Sequence, residues 1–164
     1  MMDIFETALE NEKSGEELYQ RLADKSPNAG LSRIFEMLAE EERNHYEVIC
    51  KMRDKCETDV IESDVLDDAR DFFENVRGSE NSYDFDMTVM ELYEKARDDE
   101  AKDMEYYLAK AKEVSDPLQK QLFEKLAREE KKHHILLENI CEFVSEPESF
   151  LEDAEFFHME DDEL

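Results

Sequence analysis

The chain has 164 residues, of which 47 are acidic and 20 are basic, so its formal net charge is −27 at pH 7. This length is enough for one domain with a hydrophobic core, and the charge excludes nucleic acid and anionic membrane surfaces as partners because their phosphates would be repelled. With only 3 Gly and 3 Pro, and abundant Glu, Lys, Leu and Ala, local propensities predict an all-α fold.

Cysteine content and the N-terminal residues bear on the cellular compartment. Cys50, Cys56 and Cys141 are odd in number and form no CxxC pair, which argues against a disulfide framework or a zinc site. Residues 1–13 are charged and amphipathic, without an apolar run long enough for a signal peptide or a membrane span. We therefore expect reduced thiols and a cytoplasmic protein.

Four amphipathic stripes follow one another along the chain, over residues 4–22, 31–56, 89–111 and 123–144. Their apolar positions recur every three or four residues, as on one face of a helix. In all four stripes polar residues stand where an apolar residue would normally lie. These residues are Glu12, Glu42, His45, Glu100, Asp103, Glu130 and His133.

Short turns join the predicted helices in pairs, at residues 26–28 and 115–117. In the second turn Asp116 can cap the next helix and Pro117 can occupy its first position, so each pair is predicted to be an αα-hairpin. The connection between the hairpins, about residues 57–85, is acidic and irregular.

The long connection contains one predicted short helix, around residues 65–76, and it can run the length of a bundle. It can return the chain to the opposite end, which predicts a ferritin-like four-helix bundle with a long crossover connection. We expect this domain to span residues 1–146. The acidic tail, residues 147–164, is expected to add a docked turn or two followed by disorder.

An internal repeat with an offset of 88 residues and no gap relates the two hairpins. Identical residues recur from Glu6 and Glu94 through to His45 and His133. Two such copies packed on each other give a pseudo-two-fold bundle, in which any site formed by the repeated residues is doubled.

The repeat places its glutamates at matching heights. Glu12 and Glu42 are equally distant from the first turn, as are Glu100 and Glu130 from the second, roughly 20 Å at about 1.5 Å per residue. A His three residues after Glu shares its helix face. One Glu from each of two helices, with Glu-x-x-His from each of the others, is the di-iron or di-manganese carboxylate pattern.

Burial of these carboxylates would be costly without a cation. Each costs several kcal/mol unless it is paired, protonated or metal-bound, and few Lys or Arg lie on the same stripes. We therefore predict two metal ions bridged by Glu42 and Glu130. The alternative is that these residues lie on partly solvated helix faces.

Residues near the predicted ligands allow more than one role. Tyr19 and Tyr107 lie seven residues after Glu12 and Glu100, so each is either a core aromatic or a hydrogen-bond donor to a ligand carboxylate. Asp103 occupies the position equivalent to Gly15 and is either an extra ligand or a solvated or protonated acid.

Four further polar residues are assigned away from the metal site. Glu41 and Glu129 precede ligand glutamates by one residue and point about 100° away, so they are expected to be salt-bridge partners. His134 and His158 have no counterpart in the other half, and we expect them to be ordinary surface residues.

Four segments resemble the helix motifs of the rubrerythrin group of ferritin-like proteins: ENEKSGEELYQRLA, LAEEERNHYE, DDEAKDMEYYLAKA and LAREEKKHH. The resemblance extends from about residue 3 to 145. It implies a di-iron site, reactivity toward hydrogen peroxide or dioxygen, and catalysis at the four glutamates. The implied ligands are Glu12, Glu42, His45, Glu100, Glu130 and His133.

The sequence departs from rubrerythrins proper in two respects. They carry Glu where Asp103 stands, and a rubredoxin domain with two CxxC pairs, a pattern missing from this sequence. With neither CxxC-bound iron nor a GxGxxG motif in the chain, electrons are expected from a separate protein such as a rubredoxin. We also expect a homodimer.

The expected function is the reductive removal of peroxide by two iron ions per chain. The same ligands accept Mn or Zn, so the sequence does not identify the metal. One alternative is an iron-handling protein that oxidises ferrous ions without sustained turnover. Another is a structural or sensor module whose metal fixes the fold.

Overall fold

A computed structural model of the chain describes residues 3–77 and 85–152, and within these ranges it contains helices and no strands. The all-α fold predicted from composition is therefore confirmed. The helices are α1 (Ile4–Lys25), α2 (Ala29–Arg53), α3 (Val65–Arg77), α4 (Met87–Glu113), α5 (Pro117–Ser145) and α6 (Pro147–Glu152).

Side-chain caps fix where the helices begin. The Asn28 carboxamide oxygen accepts hydrogen bonds from the first backbone amides of α2, and the Asp116 carboxylate does the same for α5. Pro117 occupies the first turn of α5, where its missing N–H costs nothing. Both turns are therefore short, and the helices that they join run antiparallel.

The four long helices form the predicted pair of hairpins. Helix α1 packs along α2, and α4 packs along α5. The hairpins then meet through contacts of α1 with α4 and of α2 with α5. This arrangement places the repeated halves across a common axis.

The crossover contains α3, close to the predicted helix at residues 65–76. It packs on α2, α5 and α6. Gly30 makes room for it, since a Cβ on this residue would lie 2.8 Å from a ring carbon of Phe72. Residues 78–84 lie outside the described ranges.

The start of the acidic tail forms helix α6, which matches the docked turns expected there. Its Phe150 is buried, with its ring centroid 4.8 Å from that of Phe73 on α3. The disorder expected further along, and His158, fall within residues 153–164, which the structure does not describe.

Two apolar clusters occupy the two ends of the bundle. One contains Leu22 and Phe35, near the first turn, and the other contains Ile49 and Phe123. Along every long helix, residues of one cluster give way to residues of the other at the predicted glutamates. The bundle therefore has a polar layer between two dry ends.

Among the described residues, no helix combines the length and the apolar character that crossing a membrane would require. The three cysteines are free thiols, with Cys141 buried and Cys56 exposed.

Candidate metal centre

The polar layer at the middle of the bundle contains the six residues that the sequence analysis predicted as ligands. Each is at most 4% exposed. They are Glu12 on α1, Glu42 and His45 on α2, Glu100 on α4, and Glu130 and His133 on α5.

Their ligand atoms form two overlapping groups. Within each group one oxygen or nitrogen per residue lies within 4.8 Å of the others. Glu42 and Glu130 belong to both groups, which is the arrangement expected of bridging carboxylates. The groups are Glu12, Glu42, His45 and Glu130, and Glu42, Glu100, Glu130 and His133.

The histidines contact glutamates of the opposite hairpin. His45 Nδ1 lies 2.9 Å from Glu130 Oε1, and His133 Nδ1 lies 3.0 Å from Glu42 Oε1. The two imidazole rings stack with their centroids 5.9 Å apart. The pseudo-two-fold axis therefore passes between the rings, and each hairpin completes the other's half of the centre.

Two tyrosines hold the remaining glutamates. The Tyr19 hydroxyl donates to Glu100 Oε1 at 2.6 Å, and the Tyr107 hydroxyl donates to Glu12 Oε1 at 2.5 Å. Both rings are also part of the apolar core, so the two roles considered for them coexist. Burial, reinforced by the charge of the accepting glutamate, raises the pKa of each hydroxyl well above its usual range and keeps it a donor.

Four buried carboxylate oxygens at the centre lack a hydrogen-bond partner within the described part of the chain. They are the Oε2 atoms of Glu12, Glu42, Glu100 and Glu130. A buried and unpaired carboxylate oxygen is strongly unfavourable, whereas a cation satisfies it. Carboxylate oxygens with imidazole nitrogens suit Fe, Mn or Zn, so these residues fit a metal centre.

Protonation of the cluster is uneven. Burial and the neighbouring charge of Glu100 raise the pKa of both Glu42 and Glu130 well above their usual range. Burial acts in the same direction on Glu100, but its interaction with the neighbouring Glu130 carboxyl group and the positive charge of His133 outweigh it and lower its pKa to about 2. Without metal, Glu42 and Glu130 therefore tend to hold protons that a cation bound there would displace.

Asp103 lies beside the ligand cluster and belongs to neither group of ligand atoms. With Glu100 and Tyr19 it lines a cavity of about 400 Å³ between α1 and α4. Burial and the charge of Glu100 raise its pKa to about 8. Its role as an extra ligand stays a prediction.

Gly15, the residue equivalent to Asp103, leaves space for the side chain of Glu42. A Cβ on Gly15 would lie 3.0 Å from Glu42 Oε2. The two halves of the centre therefore differ at this position, with an acid in one and, in the other, a glycine against which the Glu42 side chain packs closely.

Glu41 lies at the site, although the sequence analysis expected it to be a salt-bridge partner away from the metal. It does form an ion pair, but the partner is a predicted ligand, since its Oε1 lies 3.0 Å from His133 Nε2. Glu129 behaves as expected, because its Oε2 pairs with Lys132 Nζ at 2.8 Å. The sequence feature that could have pointed to Glu41 is the internal repeat, which contains both Glu41 and Glu129.

His134 is half-buried rather than a plain surface residue. Its Nδ1 lies 3.0 Å from the backbone oxygen of Arg97 and its Nε2 lies 2.9 Å from Glu138. It ties α5 to α4 away from the metal centre.

Comparison with known families decides the classification. The rubrerythrin family model matches residues 3–141 of the chain. The chain belongs to the rubrerythrin family. This family and the buried carboxylate–histidine cluster together fit a di-iron protein, and no separate rubredoxin domain is indicated within the chain.

A solved structure supports the same fold. A hypothetical protein from Pyrococcus furiosus is 20% identical, with a TM-score of 0.68, and the alignment covers 88% of this chain and 90% of that one. At this identity the likeness concerns the fold alone, which is the ferritin-like bundle of the rubrerythrins. No curated protein matches the chain in sequence.

Proposed function

We propose that this rubrerythrin-family protein holds two iron ions and reduces hydrogen peroxide to water. The observation that carries the proposal is the set of four buried glutamate oxygens without a hydrogen-bond partner among the described residues. They converge with two imidazoles in groups that share two glutamates. A centre of this kind is suited to two cations at close range.

The residues assigned to the two ions are those of the two groups described above. A pair of ferrous ions held there would supply one electron each, and with two protons these convert hydrogen peroxide into two water molecules. The chain itself provides anionic oxygens, which stabilise the more oxidised iron, and excludes bulk water from the layer.

Other side chains support the reaction around the centre. Tyr19 and Tyr107 keep Glu100 and Glu12 oriented by hydrogen bonds. The cavity between α1 and α4 leads to Glu100 and is large enough for peroxide. Asp103, with a pKa of about 8, lines this cavity and holds a proton on its carboxyl group at neutral pH.

Anaerobic metal loading followed by stopped-flow mixing with hydrogen peroxide tests the proposal. We expect two irons per chain and loss of both ferrous ions for each peroxide consumed. Glu12→Gln should weaken iron binding, whereas Glu10→Gln, at an exposed position on the same helix, should not. Iron bound outside the polar layer, or ferrous protein that peroxide leaves unoxidised, would refute the proposal.

Iron handling is the second candidate function. The net charge of −27 favours it, because an acidic exterior attracts ferrous ions. Retention of many irons per chain, with a single oxidation that no reductant reverses, would select this function over peroxide turnover. Oxidation by neither peroxide nor dioxygen would leave a structural or sensor role for the metal.

Sustained turnover requires an electron donor, and we propose a separate redox protein such as a rubredoxin. The negative charge repels an acidic donor at low salt, so re-reduction by such a donor should become faster as ionic strength rises. A basic donor should show the opposite dependence. We further propose that the protein is a cytoplasmic homodimer, which light scattering and cell fractionation would test.

A further inference from the structure

We propose that the two metal positions are unequal, because Glu41 positions His133 for one ion while His45 has no equivalent partner among the described residues for the other. The position that includes His133 binds its ion more tightly. This inference rests on the proposed two-ion centre, and it concerns a residue outside the ligand set.

His133 is oriented by two contacts, one at each ring nitrogen. Its Nδ1 faces the cluster, 3.0 Å from Glu42 Oε1, while its Nε2 lies 3.0 Å from Glu41 Oε1. A carboxylate that accepts the N–H of one ring nitrogen fixes the ring and its tautomer, and makes the other nitrogen a better ligand. Glu41 therefore holds the His133 ring with its Nδ1 directed at the predicted metal position.

His45 receives no such support from the described residues. Its Nδ1 faces Glu130, but its Nε2 has no hydrogen-bond partner within residues 3–77 and 85–152. The ring lines a cavity of about 370 Å³ between α2 and the crossover, together with Ser63. His45 is therefore held by packing and by its contacts inside the cluster alone.

The repeat does not supply a partner of this kind for His45. Glu129 is the counterpart of Glu41, and it is fully engaged elsewhere. Its Oε1 accepts the backbone N–H of Ser63 at 2.7 Å, and its Oε2 pairs with Lys132. Ser63 belongs to the crossover, which occurs once in the chain, so the crossover makes the two halves chemically different.

The two hairpins also differ at the equivalent positions Gly15 and Asp103. Asp103 lines a cavity together with Glu100, and Glu100 belongs to the group that contains His133. The equivalent residue in the first hairpin is Gly15, which has no acidic side chain and lies against Glu42. The two hairpins therefore differ at Asp103 and Gly15 as well as at Glu41 and Glu129.

Calorimetric titration of metal-free protein with Co²⁺, an air-stable substitute for Fe²⁺, tests the inference. We expect two binding steps in the wild type. Glu41→Gln should weaken the tighter step roughly 10- to 100-fold and leave the second within about threefold. Glu129→Gln is the matched control, since it changes the equivalent glutamate without touching a ligand, and it should leave the tighter step within about threefold.

Proton NMR of the Co²⁺-loaded protein provides an independent readout. The N–H of a metal-bound imidazole gives a shifted signal that disappears on exchange with D₂O. We expect slow exchange for His133, whose N–H is held by Glu41, and fast exchange for His45, whose N–H faces a cavity. Glu41→Gln should shift the slow signal and speed its exchange, even if the folded protein is otherwise unchanged.

The outcomes separate this inference from the proposed function. Two Co²⁺ ions bound at the polar layer, with both steps equally affected or unaffected by Glu41→Gln, would overturn the inference alone. Wild-type protein that binds no Co²⁺ at these residues would overturn both.

Discussion

At the scale of single residues, the two tyrosines show how the fold holds a charged layer in place. Each hydroxyl reaches across the bundle to a glutamate of the other hairpin, Tyr19 to Glu100 and Tyr107 to Glu12. Each acceptor is left with one oxygen free of hydrogen bonds from the described residues. The tyrosines therefore orient the carboxylates and leave a ligand atom available on each.

Tyr107→Phe should destabilise the metal-free protein by about 1.5–3 kcal/mol, because a buried carboxylate loses its donor. Tyr106→Phe is the matched control, since Tyr106 donates to the Ile4 backbone oxygen at a partly exposed position and should cost about 0.5–1.5 kcal/mol. Urea unfolding measures both. Equal losses in the two variants would contradict the role assigned to Tyr107.

At the scale of helices, the crossover is part of the folded bundle. Helix α3 packs its aromatic face on α5 and α6, with the Phe73 ring centroid 5.4 Å from that of Phe143. The same segment places Ser63 against Glu129. The crossover thus joins the two hairpins and also modifies the surroundings of the metal centre.

Phe73→Ala should lower the free energy of unfolding by about 3–5 kcal/mol, because it leaves a cavity under a fully buried ring. Glu74→Ala, at an exposed position next to it, should change stability by less than about 0.5 kcal/mol. Chemical denaturation followed by circular dichroism compares the two. A negligible effect of Phe73→Ala would mean that α3 is a loosely attached linker.

At the scale of the whole molecule, the proposed metal centre would couple stability to metal binding. The four ligand glutamates occupy the interior between two apolar clusters, so repulsion within the metal-free layer opposes the packing at both ends. A cation that binds the folded state alone removes this repulsion and stabilises the fold by mass action.

Removal of both metal ions by a chelator should therefore lower the Tm by roughly 10–20 °C. Each metal ion at a free concentration of 100 times its Kd adds about 2.7 kcal/mol to the free energy of unfolding. For a domain of this size, about 1 kcal/mol corresponds to a Tm shift of roughly 2–4 °C. Differential scanning calorimetry measures the shift. The double variant with Glu12→Gln and Glu100→Gln should respond less, and an unchanged wild-type Tm would argue against a buried metal centre.

The metal-free protein should also lose stability as the pH rises from about 5 to 8. Glu42 and Glu130 have raised pKa values in the folded state. Their contribution to stability is therefore complete below the ordinary glutamate pKa of 4.5, and it is lost as the pH rises through their pKa values in the folded protein. Asp103 acts in the same direction up to about pH 8. The lowered pKa of Glu100, about 2, contributes a constant amount over this range.

Unfolding free energies of metal-free protein at several pH values measure this dependence. Each raised carboxyl contributes a slope of up to about 1.4 kcal/mol per pH unit within its window. Glu42→Gln removes one titrating group and should flatten the slope. A stability that rises between pH 5 and 8 would contradict the protonation pattern of the cluster.

The sequence by itself determined the helices, the two hairpins and the residues that meet in the polar layer. These features depend on spacing along one helix and on equal distances from a turn, and the repeat supplied them twice. Glu12 and Glu42 come together because both lie the same number of residues from the first turn. The turn chemistry of Asp116 and Pro117 was likewise readable, because capping is local.

Only the tertiary structure decided which residue supports which ligand. Tyr107 follows Glu100 on its own helix yet bonds to Glu12, because the lateral placement of α1 against α4 determines the partner. Glu41 points away from Glu42 on α2 but toward His133, since α5 lies on that side. Helical periodicity predicts the direction in which a side chain points, but it does not predict which helix lies on that side. The asymmetry of the centre was therefore decided by packing and by the path of the crossover.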